Sequence, residues 1–395
     1  MVDSEPRFSW AGTNLAFVRS QGDSINDLYL QPLKPTLDLA GEPVRLTSDK
    51  QSVKGFSWSA DDHSVIASMK RGRLIRSLWR LALDGSAPEH LPESGIEPLN
   101  PTVSPKKSQI AYVNLIQDTN IWRMGHDDAP LIQSTRGDTG PQISPDGQWI
   151  AFRSTRSGTD GIWLAKRDGA GARLLSDCGG YVCGDARWAP DSERIAFDSA
   201  QAGSPDIYIV SIHQAKATRF TIEQESEVVP SWSHDGRFIY YASNHSGTWQ
   251  VWRKPVDGGT AEQVTREGGY ASSEDTAGKY LYFSRQRGGK GIWRIPLTGG
   301  SEELLIPNVD SAMWGSWALA PSGIFFIDYD PVTAGGPGTI EFFDLATRRR
   351  KPVAKTSRMP VMWDMSLGVD PGGSDVLYSQ LDRGGTEVFV IDGFR

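Results

Sequence analysis

The stretch QISPDGQWIAFRSTRSGTDGIWLAKRDGAGARLLS, residues 142–176, decides the fold. An apolar position, Ile143, leads into a polar turn, Ser144-Pro145-Asp146-Gly147, and an alternating run, Trp149–Phe152, leads out of it. Side chains that alternate over a short β-branched and aromatic run mark a strand rather than a helix. A further strand opens at Ile162-Trp163, and an edge-like segment closes the unit near Leu174-Leu175. The same arrangement returns in RWAPDSERIAF (187–197), SWSHDGRFIYY (231–241) and TVSPKKSQIAY (102–112). Weaker copies occupy 8–18, 56–68, 272–284, 316–327 and 367–379.

A second landmark follows each copy, as in Leu28-Tyr29, Leu78-Trp79, Ile121-Trp122, Ile207-Tyr208, Val251-Trp252, Ile292-Trp293 and Val388-Phe389. The anchors Trp58, Val103, Ile143, Trp188, Trp232, Glu274 and Trp317 recur every 40–45 residues. Four short strands in a unit of that length are a propeller blade, whose two faces only neighbouring blades can bury. The expected fold is therefore an all-β propeller of about eight or nine four-stranded blades. Residues 1–395 read as a single domain of about nine repeats, each about 42–45 residues long. The ninth repeat reaches Arg395 after three strands, so closure needs a strand from elsewhere, and Met1–Pro6 is barely long enough to supply it.

Composition agrees. The 395 residues include 42 Gly and 24 Pro, so the chain turns often, and 14 Trp, 14 Phe and 11 Tyr supply bulky packing groups. A net charge of −7 gives no basic field for nucleic acid, and no apolar run is long enough for a membrane helix. The opening MVDSEPRFSW has none of the features of a secretory signal. The chain is expected to be a soluble monomer, cytoplasmic as it stands, or periplasmic if excised from a membrane-anchored regulator.

The central units, 142–266, resemble TolB-like, WD-repeat-like propellers in their serine-proline-aspartate-glycine turns and aspartate-isoleucine-aromatic strands. NIWRM (120–124), the segment 258–300 and the closing VFVIDGFR are similar to the C-terminal propeller regions of bacterial winged-helix transcriptional regulators. The resemblance implies the sensor or interaction part of a bacterial regulatory system. The winged helix is not in this sequence, so DNA binding does not carry over to it.

No catalytic constellation stands out. No Gly-x-Ser-x-Gly elbow occurs, and Ser104, Ser144 and Ser233 read as turn residues whose hydroxyls bond the local backbone. The six His are scattered across the units, so no metal or cofactor is expected. Asp146, Asp191 and Asp235 recur at one turn position and read as turn stabilisers. Arg153, Arg156, Arg285 and Arg287 sit near strand-to-strand turns, where they cap carbonyls or pair with acids more often than they bind anions. Cys178 and Cys183, the two thiols, would pair in an oxidising compartment and stay free in the cytosol.

That leaves the surface. In a propeller the loops entering the inner strands surround the channel mouth; here they are Thr139–Pro141, Tyr181–Asp185, Val228–Ser231, Tyr270–Ser273, Met313–Ser316 and Val361–Asp364. Tyr181, Tyr270, Trp314 and Trp363 are the candidate partner-binding residues there, although each would serve equally in packing between blades. The function expected is a non-enzymatic module that binds a protein, a peptide or a small molecule. The alternatives are a periplasmic TolB-type envelope scaffold and a hydrolase or lyase acting at the channel mouth.

Overall fold

A computed structural model describes residues 2–20, 26–47, 53–70, 76–91, 97–126, 128–179, 181–202, 204–285, 290–329 and 336–393. Its strands form eight four-stranded sheets. Seven are continuous in sequence: I (2–45), II (53–90), IV (138–177), V (183–219), VI (227–263), VII (272–306) and VIII (317–355). Sheet III is composite and joins Pro98–Val103 and Gln109–Arg123 to Leu367–Val369 and Val376–Asp392. Nine sequence repeats therefore make eight sheets, because the third and the ninth share one. Val2–Phe8, a segment barely long enough to supply a closing strand, is instead the inner strand of sheet I.

The two strands responsible are unusually long, 15 and 17 residues. Each runs straight through the point where its repeat should turn back as a hairpin, near Ile116–Asp118 in one and Asp382–Gly385 in the other. Each also starts in one compact unit and ends in the other. Unit 1 comprises Met1–Ile116 and Gly384–Arg395, and unit 2 comprises Gln117–Arg383.

In unit 2, five whole sheets and part of sheet III form a closed ring of six. The part of sheet III consists of 367–369, 376–383 and 117–123, with Ile132 bridging Ile121 in the fourth-strand place. Met124 N–H donates to Val376 O at 2.8 Å across it. Inner strands meet in order from sheet VIII through III, IV, V and VI to VII, and sheets VII and VIII share one apolar cluster containing Tyr282, Ile292, Trp317 and Ile324. Between sheets III and IV the backbones nearly touch: a Cβ added at Gly368 would lie 2.1 Å from Pro141 O. Only glycine permits that approach.

The repeat letters now acquire physical roles. Ser144 Oγ donates to Asp146 and accepts from Trp149 N–H, and Ser233 bonds Asp235 and Phe238 in the same way. The SPDG turns are thus self-bonded. The inner-strand Trp ties one sheet to the sheet before it: Trp58 Nε1 donates to Arg7 O, Trp188 Nε1 to Gln142 O, and Trp232 Nε1 to Arg187 O. A buried indole gains both its packing area and a partner for its N–H in this way.

Candidate functional site

Most inner strands bulge four residues before the turn. Glu5, Gly55, Asn100, Gly140, Asp185 and Val229 occupy that position with φ between 48° and 89°. For a β-branched residue this conformation is costly, and such strain gathers at functional sites. In unit 2 the bulges of sheets IV, V and VI border one charged cluster: Gly140 lies against Asp364, the Val229 N–H bonds Asp198, and Asp185 belongs to the cluster itself.

Arg153, from the second strand of sheet IV, makes a bidentate pair with Asp160 at 2.8 and 3.0 Å. Its NH1 lies 3.7 Å from Oδ2 of Asp364, which leads into the inner strand of sheet III. Thr139 Oγ1 donates to the same Oδ2 at 2.5 Å, and Oδ1 accepts from Met365 N–H. Gly140, at φ +64°, leaves the space: its Cβ would stand 3.3 Å from Asp364 Oδ1. Asp198 accepts from the strained Val229 N–H at 3.3 Å. Asp185 and Arg187 face the same space from the inner strand of sheet V, and a buried Asp185 oxygen has no hydrogen-bond partner.

The electrostatics follow from low water content and crowding of like charge. Burial, with Asp364 and Asp198 nearby, pushes the Asp185 carboxyl well above the carboxylate range. Burial also raises Asp198, to about 7, with Asp364 adding to it and the Val229 N–H and Arg153 opposing. Burial depresses Arg187 despite Asp185 and Asp364. For Arg153 burial works in the same direction, but Asp160, Asp364 and Asp185 outweigh it and the guanidinium is held firmly charged. Arg153 still shows 24% of its side-chain surface. Arg187 spends NH1 on the Ala186 carbonyl and has no carboxylate within ion-pair distance among the described residues.

Sequence reasoning reaches only part of this. Asp185 and Asp364 end two of the rim loops, but neither stands out there, and Asp198 and Arg187 are plain strand letters. Of the named aromatics, Tyr270 and Trp314 come together, their ring centroids 4.8 Å apart, with Trp249 5.3 Å from Tyr270. That trio packs on Val229 and Met365, beside the charged cluster. Tyr181 is half-buried and its N–H donates to Cys178 O; Trp363 is 42% exposed. Cys178 and Cys183 are joined by a disulfide, their Cα atoms 6.1 Å apart. Arg156 pairs with Asp138 and Arg285 with Glu302, whereas Arg287 lies outside the described residues. A polar groove of about 530 Å³ between sheets VI and VII has its charges largely paired, Arg253 with Glu262 and Glu302 with Arg285, and offers less chemistry.

Fold and site together define an all-β propeller with a charged cluster on the axis of its closed ring. Residues 173–357 match the family model described as the TolB beta propeller domain, so the fold is TolB-like. Among curated proteins, the chain is 27% identical over 197 residues to an uncharacterized protein of Agrobacterium fabrum, covering 49% of this chain and 63% of that one. It is 26% identical over 121 residues to the Tol-Pal system protein TolB of Desulfosudis oleivorans, covering 30% and 27%. It is 28% identical over 122 residues to tricorn protease homolog 1 of Streptomyces coelicolor, covering 30% and 11%. The chain thus spans less than two thirds of each of these relatives. TolB from Acinetobacter baumannii is a similar solved structure, with a TM-score of 0.49 and 13% identity over 86% of this chain and 79% of that one. No helix among the described residues is long and apolar enough to cross a membrane.

Proposed function

We propose that the chain is a non-enzymatic binding module whose unit 2 takes a charged ligand, an end or side chain of a partner peptide or a small molecule, into the axial cluster. The observation that carries this reading is the imbalance there: Asp160, Asp185, Asp198 and Asp364 face two arginines, and among the described residues no carboxylate lies within ion-pair distance of Arg187. A ligand ammonium would replace the protons that burial holds on Asp185 and Asp198. A ligand carboxylate would meet Arg187, where a charge-assisted fork is strong. The Trp249–Tyr270–Trp314 trio supplies a rigid aromatic wall beside it.

The role we favour is the sensor or interaction part of a bacterial regulatory system, supported by the likeness of 120–124, 258–300 and the C-terminal residues to regulator propellers. The Cys178–Cys183 disulfide and the match to a Tol-Pal protein favour an oxidising compartment, such as the periplasm, and keep an envelope scaffold as the second reading. Thermal shift with short peptides, their termini free or blocked, tests the site. Stabilisation by a free-terminus peptide, lost in Asp198→Asn and Arg187→Met, is expected. No shift from any charged peptide would defeat the reading. Chemical change in a bound peptide would instead turn the buried carboxyls into acid–base groups and the chain into an enzyme.

A further inference from the structure

One cross-strand pair recurs at the heart of most sheets. The inner-strand anchor faces the first aliphatic residue of the second strand: Trp58 with Val65, Val103 with Ile110, Ile143 with Ile150, Trp188 with Ile195 and Trp232 with Ile239. In these five sheets every member is buried, the anchors 3–8% exposed and the aliphatics 0%. The preceding sheet covers them, as the indole bonds to that sheet show.

Sheet I has the same pair in the same register, Phe8 with Leu15. Yet Phe8 is 59% exposed and Leu15 only half-buried. The uncovered face continues into a groove of about 340 Å³ that includes Pro6, Leu15, Phe17 and Leu39. At the other end of unit 1, sheet III is uncovered on its opposite face. Ala111 is half-buried, although its counterparts Ala16, Ile66, Ala151 and Ala196 are 0% exposed. Val388 and Val390 beside it are 74% and 54% exposed, while Phe389, on the alternate face, is 38% exposed and stacks on the buried Tyr112.

Unit 1 is thus a stack of three sheets whose first member has the face that receives a preceding sheet and whose last has the face that receives a following one. Unit 2 shows how many such sheets close a ring: six. Three is half of six. We propose that two copies of this chain associate through unit 1, the sheet I face of each copy packing on the sheet III face of the other, so that three sheets and three sheets close a second ring about a two-fold axis. A symmetric pair satisfies both open faces at once, and closed two-fold assemblies are the commonest kind. The two faces would bury apolar area as the internal sheet contacts do. This pairing departs from the monomer that the sequence suggests, and it is independent of the axial site.

Sedimentation equilibrium of the full chain tests it. At micromolar concentration the expected mass is twice that of one chain. Leu15→Asp and Val390→Lys should each weaken association at least tenfold while leaving the unfolding midpoint at low concentration unchanged, because both residues are accessible within one copy. Mixing the two variants should restore the double mass. In a mixed pair one interface is unaltered and the other opposes Asp to Lys, whereas a pair of identical variants is damaged at both. A single-chain mass for the unmodified protein would overturn the proposal. So would variants that stay paired, or a mixture no heavier than its parts.

Discussion

The indole Nε1 of Trp232 donates to the carbonyl of Arg187 at 3.2 Å, joining the anchor of one inner strand to the inner strand of the sheet before it. Arg187 is the guanidinium of the axial cluster with no carboxylate within ion-pair distance among the described residues. The repeat that packs the sheets is therefore also the device that holds the cluster in place.

Trp232→Ala should cost about 3–5 kcal/mol, the range for truncating a buried aromatic side chain. It should also loosen the cluster, since the Arg187 carbonyl loses its donor. Urea unfolding followed by tryptophan fluorescence gives the first quantity. An unchanged midpoint would show that the anchor does not pack as drawn.

Trp122 and Trp163 occupy the same sequence landmark but differ in the structure. Trp122 is 8% exposed and its Nε1 donates to Asp382, whereas Trp163 is half-buried beneath the Arg156 guanidinium. Trp122→Ala should cost about 3–5 kcal/mol and Trp163→Ala clearly less, because less area returns to water and the cavity is shallower. Equal losses would contradict the difference in burial.

Asp198 predicts a pH dependence with a definite sign. Its folded carboxyl, raised to about 7, holds its proton more tightly than the unfolded chain does with an ordinary value of 3.8. Its contribution is full at low pH and falls as pH rises through the window from about 4 to 7, with a slope of at most about 1.4 kcal/mol for each step of one in pH. Asp185 acts in the same direction. Thermal unfolding of the wild type and of Asp198→Asn between pH 4.5 and 8 should show the wild type losing more stability as pH rises. Parallel curves would remove Asp198 from the buried set.

The Cys178–Cys183 bridge closes a small loop, with a sequence separation of 5. Chain-entropy arguments give a loop of that size about 2 kcal/mol. Dithiothreitol should lower the melting temperature of the wild type and leave Cys178→Ser/Cys183→Ser unaffected. If reductant shifted both alike, its effect would lie elsewhere than in this bond.

Gly368→Ala probes ring closure. The added methyl would meet Pro141 O at 2.1 Å, and both partners are backbone in adjoining inner strands. Sheets III and IV must part, at a cost of about 1–3 kcal/mol or more. Gly12→Ala is a control for the intrinsic penalty of losing a glycine: its site is open, though its φ is +69°. A Gly368 variant no weaker than that control would argue against the closure described here.

Much of the strand pattern was legible beforehand, because alternation, self-bonded turns and blade-length spacing are local. The letters S-P-D-G dictate a turn that bonds itself, and W-I-A-F dictates a strand with two buried faces. The paired arginines were partly legible as well: Arg153 and Arg156 meet acids close in sequence, 7 and 18 residues away.

The axial cluster was not legible, and the reason is separation. Thr139 and Asp364 are 225 residues apart, and Asp198 receives its donor from a strained valine 31 residues on. No spacing rule relates such positions; only closure of the ring does. The aromatics named from the rim loops were visible because a Tyr or Trp stands out among polar loop residues, whereas an Asp in a strand does not announce that burial will hold its proton. The shared sheet was hidden for a similar reason, since whether a 15-residue strand folds back on itself or runs on is decided by the partner that pairs with it. The sequence alone determined the repeat, its strands and its turns, which depend on neighbours a few residues away. The tertiary structure decided which repeats share a sheet, which charges meet on the axis and which faces stay open, because those depend on distances set only once the whole chain has closed.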